Sequence, residues 1–349
     1  MKGLISYGAV TAKVRALEGK LLTIEDYKKM AELPTVAEAV EFLRTFPAYS
    51  QTFENLSDAS LHRGVIEQLL AGSLFHEYTK LYQFCSMKQR YFLDFYFMHF
   101  EIDILKRCLR NAAAHKPEAL GLYRYDEFFR EHSDVPLGQI SQSASLDEFL
   151  GYMRGTIYEQ ALLPLMDREV KDSFAYETAL DLFYFKKTWR DLKAKIPKWD
   201  REMIRETLGI KIEILNLQWI YRGKKYYSMV SDQIRTMLVP IRSRLKKEQL
   251  NKLIESSTAE DFYQLLSYTW YGKMLKKADM EDEPDLEILY RFILNRLHTT
   301  LEKEKPYSIA SMYSYLYFKE AELKKIITVI EGIRYQVPSK EIIQYIANH

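Results

Sequence analysis

An all-α fold is what this sequence predicts, on three observations. Apolar residues recur at helical spacing along nearly the whole chain, with no convincing run of strict alternation between hairpin turns. Thirteen glycines and ten prolines in 349 residues are about half the usual share of chain breakers. Several helix starts carry a hydroxyl three positions before an acid. There the hydroxyl accepts from an orphan backbone N–H and the acid reaches back.

The elements follow in order. Val10, Val14, Leu17 and Leu21 place one apolar stripe on a first helix. Thr23 with Asp26, and Thr35 with Glu38, start the next two. Tyr91 to Phe100 is the richest apolar segment, but Asp94 interrupts it and Glu101 follows, short of the ~18 apolar residues of a membrane span. Ser145 with Glu148 starts a helix in mid-chain, and Thr258 with Asp261 another, behind the stripe Leu245, Leu250, Leu253 and Ile254. Pro284, after Glu281-Asp282-Glu283, reads as a first-turn proline of the helix carrying Leu286, Leu289, Phe292, Ile293 and Leu297. The start Met1-Lys2-Gly3-Leu4-Ile5 has too short an apolar part for a signal peptide. The protein is expected to be soluble, or held at a membrane through a partner.

Comparing the helix starts reveals a repeat. The segment Thr35–Thr45 resembles Ser145–Thr156 and Thr258–Thr269, and each is followed by a tyrosine: Tyr49, Tyr158, Tyr271. The spacing of these starts sets a period of about 110 residues. A second segment recurs independently at the same period, Glu101–Arg110 with Glu213–Arg222 and Glu322–Glu331. Two segments sharing one period predict three helical modules, 1–120, 121–240 and 241–349. Each is far longer than a solenoid repeat of ~20–50 residues. Three such modules can surround a pseudo-threefold axis, leaving a central concavity suited to gripping one elongated object.

Catalytic and ligand motifs are scarce. Fifty basic against 48 acidic residues give a net charge of +2, whereas a nucleic-acid binder normally shows a clearer basic excess. Cys85 and Cys108 are too few for a disulfide scaffold or a cysteine metal cluster and read as small core residues. No phosphate-binding glycine loop or nucleophile elbow occurs. His76-Glu77-Tyr78-Thr79-Lys80 begins like a zinc helix, but Lys80 stands where the second ligand belongs. Glu281, Asp282 and Asp285 form an acidic run of the kind that holds magnesium for a diphosphate in all-α enzymes. The plainer reading is a solvated loop and an acidic first turn, because Pro284 lies inside the run and no second such motif appears. Lys186, Lys187, Arg190, Lys193, Lys195 and Lys198 interleave with Trp189 and Trp199. They fit an RNA groove, an acidic protein partner, or a charged helix face balanced by Glu177, Asp181 and Asp191.

Three stretches carry a family resemblance: Tyr7 to Leu22; Glu213 to Arg222, with Asn216; and Lys319-Glu320-Ala321-Glu322-Leu323, followed by Glu331-Gly332-Ile333-Arg334-Tyr335. They resemble the C subunit of bacterial and archaeal V/A-type ATPases, whose eukaryotic counterpart is the d subunit. Where Asn216 stands, the first copy has Ile104 and the third Lys325, so the repeat period carries more weight than any single residue. The resemblance covers essentially the whole chain. It implies a non-catalytic, cofactor-free, metal-free funnel of three modules, in single copy on the cytoplasmic face of the membrane rotor ring. The wide mouth would receive the central shaft, made of the D and F subunits. The narrow end would contact the proteolipid ring (c/K subunits), so that ATP turnover is linked to proton or sodium movement. The membrane would be met only through partners, and no nucleic acid is implied. Within that reading the expected interface residues are Arg15, Arg110 and Arg222 at motif positions, with Lys186, Lys187, Arg190 and Lys193 facing an acidic partner. Glu101, Glu213 and Glu322 are expected to form ion pairs that set module packing. The competing readings are a magnesium-dependent enzyme using Glu281, Asp282 and Asp285, and an RNA-binding adaptor using the Lys186–Trp199 stretch.

Overall fold

A computed structural model describes residues 2–54, 56, 61–116, 129, 131–280 and 285–348. Every regular element among them is an α-helix. The chain divides into two compact units, Met1–Phe97 with Asp103–Glu159 and Lys305–His349, and Met98–Ile102 with Gln160–Glu304.

The first unit contains α1 (Lys2–Glu18), α2 (Ile24–Ala31), α3 (Val36–Arg44), α4 (Ser50–Phe53), α5 (Arg63–Phe84), most of α6 (Met87–Ala113), α7 (Leu137–Ile140), α8 (Leu146–Met153), and, from the C-terminal part of the chain, α17 (Ile309–Arg334) and α18 (Ser339–Asn348). The second contains nearly all of α9 (Glu159–Met166), then α10 (Ser173–Lys195), α11 (Lys198–Tyr227), α12 (Ser231–Met237), α13 (Lys247–Glu255), α14 (Ala259–Ser267), α15 (Trp270–Lys277) and α16 (Leu286–Glu304).

All four predicted caps accept a backbone N–H, and at Thr23 the acid also reaches back to the cap's own N–H. The side chains of Thr23, Thr35, Ser145 and Thr258 accept from the backbone N–H of Asp26, Glu38, Glu148 and Asp261 at 3.3, 3.2, 3.2 and 3.0 Å. The first stripe is shorter than its spacing predicts. Val10, Val14 and Leu17 are buried, but α1 ends at Glu18 and Leu21 lies in the turn after Gly19. Leu245 likewise is buried just ahead of α13.

α11 and α17 are wrapped on several sides by other helices of their own units. Near-continuous apolar runs explain this: Ile210, Ile212, Ile214 and Leu217 in one, Ile309 to Leu316 in the other, nearly all inaccessible. Each fully buried aliphatic contributes about 2 kcal/mol. Polar residues inside such helices need partners, and Asn216 has them. Asn216 donates to the Val239 carbonyl at 2.9 Å and accepts from the Val239 N–H at 3.0 Å, which pins the extended turn after α12 to α11.

The long helices α6, α11 and α17 end alike. His115, Ser228 and Gln336 take left-handed φ values of 54°, 48° and 55° just past the last helical residue. The next N–H folds back onto Asn111, Gly223 and Gly332 at 2.9, 3.0 and 2.9 Å, closing the orphan carbonyls of the last turn. Those three acceptors recur at the period of the sequence repeat.

At the start of α15, a Cβ on Gly272 would lie 2.2 Å from the Ser267 carbonyl oxygen. That obstacle is backbone, which cannot rotate away. Gly272→Ala is expected to cost about 2 kcal/mol, read as a lowered urea midpoint; an unchanged midpoint would show that the α14–α15 corner yields freely.

Candidate partner-binding surfaces

Two buried carboxylates organise the frames that carry the candidate surfaces. In the second unit Glu213 of α11 accepts from the N–H groups of Ser243, Arg244 and Leu245 at 2.7, 2.7 and 3.0 Å, and from the Tyr271 hydroxyl at 2.8 Å. In the first, Glu322 of α17 accepts from the Leu22 N–H at 2.7 Å, from Lys319 Nζ at 2.8 Å and from the Tyr49 hydroxyl. Burial, reinforced by the neighbouring carboxylate, pushes both phenols well above the usual tyrosine range, so they stay protonated donors. The expected ion pair is therefore present at Glu322. At Glu213 it is not, because a turn of backbone N–H groups supplies the charge stabilisation. Glu77, next to the failed zinc ligand His76, is also structural: it accepts from Tyr315 at 3.1 Å and pairs with Lys80 at 2.9 Å.

The expected interface arginines sit on separate helices. Arg15, in the last turn of α1, is exposed, and its guanidinium lies 5.6 Å from the Tyr307 ring centroid. Arg110 is exposed in the last turn of α6. Arg222 is exposed on α11 and lines a half-open cavity of about 300 Å³ together with Lys211, Leu215, Gln218, Glu287 and Tyr290.

The basic stretch splits in two. Lys187 and Arg190 converge on Asp191 at 2.7 and 3.1 Å. Burial opposes ionisation of Asp191, but the hydrogen bonds and charge of these two cations outweigh it and hold the carboxyl below its ordinary range. Asp191 thus offsets part of their charge. Lys186 and Lys193 are exposed and form no ion pair among the described residues. One face of Trp189 is covered by Arg205, 4.5 Å from its centroid, whereas Trp199 is 62% exposed.

Glu281, Asp282 and Pro284 lie outside the described residues. Asp285 caps α16, its Oδ1 accepting from the N–H of Glu287 and Ile288 at 2.6 and 3.0 Å. Among the described residues no group of three His, Cys, Asp or Glu is placed to hold a metal, and no helix is long and apolar enough to cross a membrane. Burial pushes both the Cys85 and Cys108 thiols up to about 12, so neither offers a thiolate nucleophile at neutral pH.

Sequence reasoning missed the exposed tyrosines at the long-helix ends. Tyr226 and Tyr335, one repeat apart, are 64% and 71% exposed. Rings that are wet at a helix end are suited to protein contacts. The signal was their place beyond the last apolar residue of each stripe, beside Lys224-Lys225 and Arg334.

Comparison with known proteins supplies the family. The family described as ATP synthase (C/AC39) subunit matches residues 10–345. The C subunit of the A-type ATP synthase from Thermococcus kodakarensis is 26% identical over 94% of this chain and 86% of its own length. Proteins of the same name from Desulfurococcus sp. and Methanosarcina acetivorans are 23% and 24% identical over 96% and 95% of this chain, and 89% and 90% of theirs. With nearly the whole chain matched, this protein belongs to the ATP synthase (C/AC39) subunit family, whose members are structural and not catalytic subunits of a rotary complex.

Proposed function

We propose that this chain is the coupling subunit of a rotary ATPase, joining the central shaft to the membrane proteolipid ring so that ATP turnover and ion transport are linked. Its partners are the D and F subunits of the shaft and the c/K ring. It stands in single copy at the cytoplasmic side of the membrane, held there through those partners. Three modules, 1–120, 121–240 and 241–349, surround a pseudo-threefold axis as a funnel. The observation that carries this reading is the family match along residues 10–345. The recurring left-handed helix ends at His115, Ser228 and Gln336 support the threefold organisation. Lys186 and Lys193 supply the unbalanced charge for an acidic partner, and Arg15, Arg110 and Arg222 add exposed guanidinium groups on separate helices.

Tagging the chain in its host and gently solubilising the membranes tests the role. Ring, shaft and ATPase head subunits are expected to co-purify with about one copy of this chain per assembly. Recovery of a lone monomer from membranes with active ATPase would overturn it. Lys186→Glu combined with Lys193→Glu is expected to lower that recovery about tenfold at low salt, with the deficit shrinking as salt rises. Recovery equal to that of the unmodified chain would remove the basic stretch from the interface.

A further inference from the structure

We propose that the packing unit of this protein is out of step with its sequence repeat: the long helix of the second copy is completed by the third copy's capping segment. The long helix of the third copy is completed by the N-terminal segment, held by a buried clasp of Lys319, Glu322 and Tyr49.

The two junctions are built alike. Glu213 and Glu322 are equivalent positions of the repeat, one period apart. Glu213 receives the N–H of Leu245 and the hydroxyl of Tyr271; Glu322 receives the N–H of Leu22 and the hydroxyl of Tyr49. Leu245 and Leu22 precede a helix-capping threonine, Thr258 and Thr35, by the same stretch of chain. The helices repeat the pattern, since α14 packs on α11 and on α15 as α3 packs on α17 and on α4. Equivalent donors thus reach equivalent acceptors, each time from a capping segment that belongs to another copy.

What differs is the length of chain that each junction closes. The Glu213 bonds span 30 to 58 residues, while those from Leu22 and Tyr49 to Glu322 span 300 and 273. Closure entropy rises with the logarithm of loop length, so the Glu322 junction needs the stronger grip. It has one. Ile210 in the second copy is matched one period later by Lys319, which is 1% exposed. Lys319 Nζ lies 2.8 Å from both Glu322 Oε1 and the Tyr49 hydroxyl, and 4.2 Å from the Tyr49 ring centroid. Hydrogen bonds between ionised groups are stronger than neutral ones, and the ring face adds a cation–π contact. An aliphatic suffices where the chain is short, and a buried cation appears where it is long.

The clasp stands on its own geometry, and its test reads the purified full chain, so it is decided separately from the coupling role. In hydrogen exchange, Lys319→Met is expected to lower protection of the Leu22 amide and of α2 and α3 by at least ~10-fold, with amides of 160–304 unchanged. A circular permutant, with residue 349 joined to Met1 by a Gly/Ser linker of about 12 residues and new ends between Glu304 and Lys305, makes the clasp local. It is expected to fold with the natural helix content and to tolerate Lys319→Met with little loss of protection. Unchanged Leu22 protection in the natural-order variant, loss spread equally over both units, or a permutant without helical structure would each overturn the proposal. If the natural-order variant does not fold, the permutant carrying Lys319→Met decides: folded supports the clasp, unfolded overturns it.

Discussion

Replacing Glu213 with alanine is expected to cost about 4 kcal/mol of stability, the largest single-residue effect in the second unit. Its carboxylate takes four donors, and they are not equivalent. Ser243 and Arg244 are exposed residues, so water can replace part of what their N–H groups lose. The Leu245 N–H and the Tyr271 hydroxyl are buried and would be left without a partner, at about 1–3 kcal/mol each. Glu213→Gln should lose about half as much, since an amide oxygen still accepts from two of the four donors while its NH₂ is set against the other two. Urea unfolding followed by circular dichroism reads both. A midpoint for Glu213→Ala within error of the unmodified chain would mean that the 243–245 turn does not depend on this carboxylate.

The second large effect is an acid-dependent loss of stability centred on His298. This residue of α16 is 1% exposed. Burial, with Lys211 repelling the added charge, lowers it from 6.5 to about 3. The sign follows from proton binding. Between those values the unfolded chain holds a proton on this imidazole that the folded chain refuses, so stability falls as pH drops below about 6.5. The slope is about 1.4 kcal/mol per pH unit, or about 3 kcal/mol lost by pH 4. Carboxylates add their own acid sensitivity, and so the measurement is a difference. His298→Gln should remove this part of the slope between pH 6.5 and 4 while changing the profile little above pH 7.5. Parallel profiles for the two proteins would show that His298 is protonated in the folded state.

Local features were legible from sequence because their physics is local. Thr23, Thr35, Ser145 and Thr258 cap their helices through an N–H only three residues away, a distance that pattern reading spans. The same reading overran at Leu21, because helical spacing can continue past a turn at Gly19 that lets the leucine fold back. The basic stretch was legible as charge but not as free charge. Lys187 and Asp191 stand four apart on one helix, and nothing in their spacing says that Asp191 would be buried enough to hold both Lys187 and Arg190. Tyr226 and Tyr335 are exposed, which side-chain type alone does not reveal, since it does not say which end of a helix meets water.

The helical class, the helix starts and the period of about 110 residues are written in the chain, because caps, breakers and apolar spacing act over one or two turns. It also carried the family, since degenerate motifs at a constant period span the whole chain. Which capping segment packs on which long helix is set instead by contacts between residues far apart in the chain. Repeated segments present similar apolar faces and the same tyrosine, so a period cannot tell packing within a copy from packing onto the next. That choice was made by donors 30 to 300 residues from Glu213 and Glu322. Carboxylates buried in these helices must be satisfied wherever the chain can supply an N–H, a hydroxyl or a lysine.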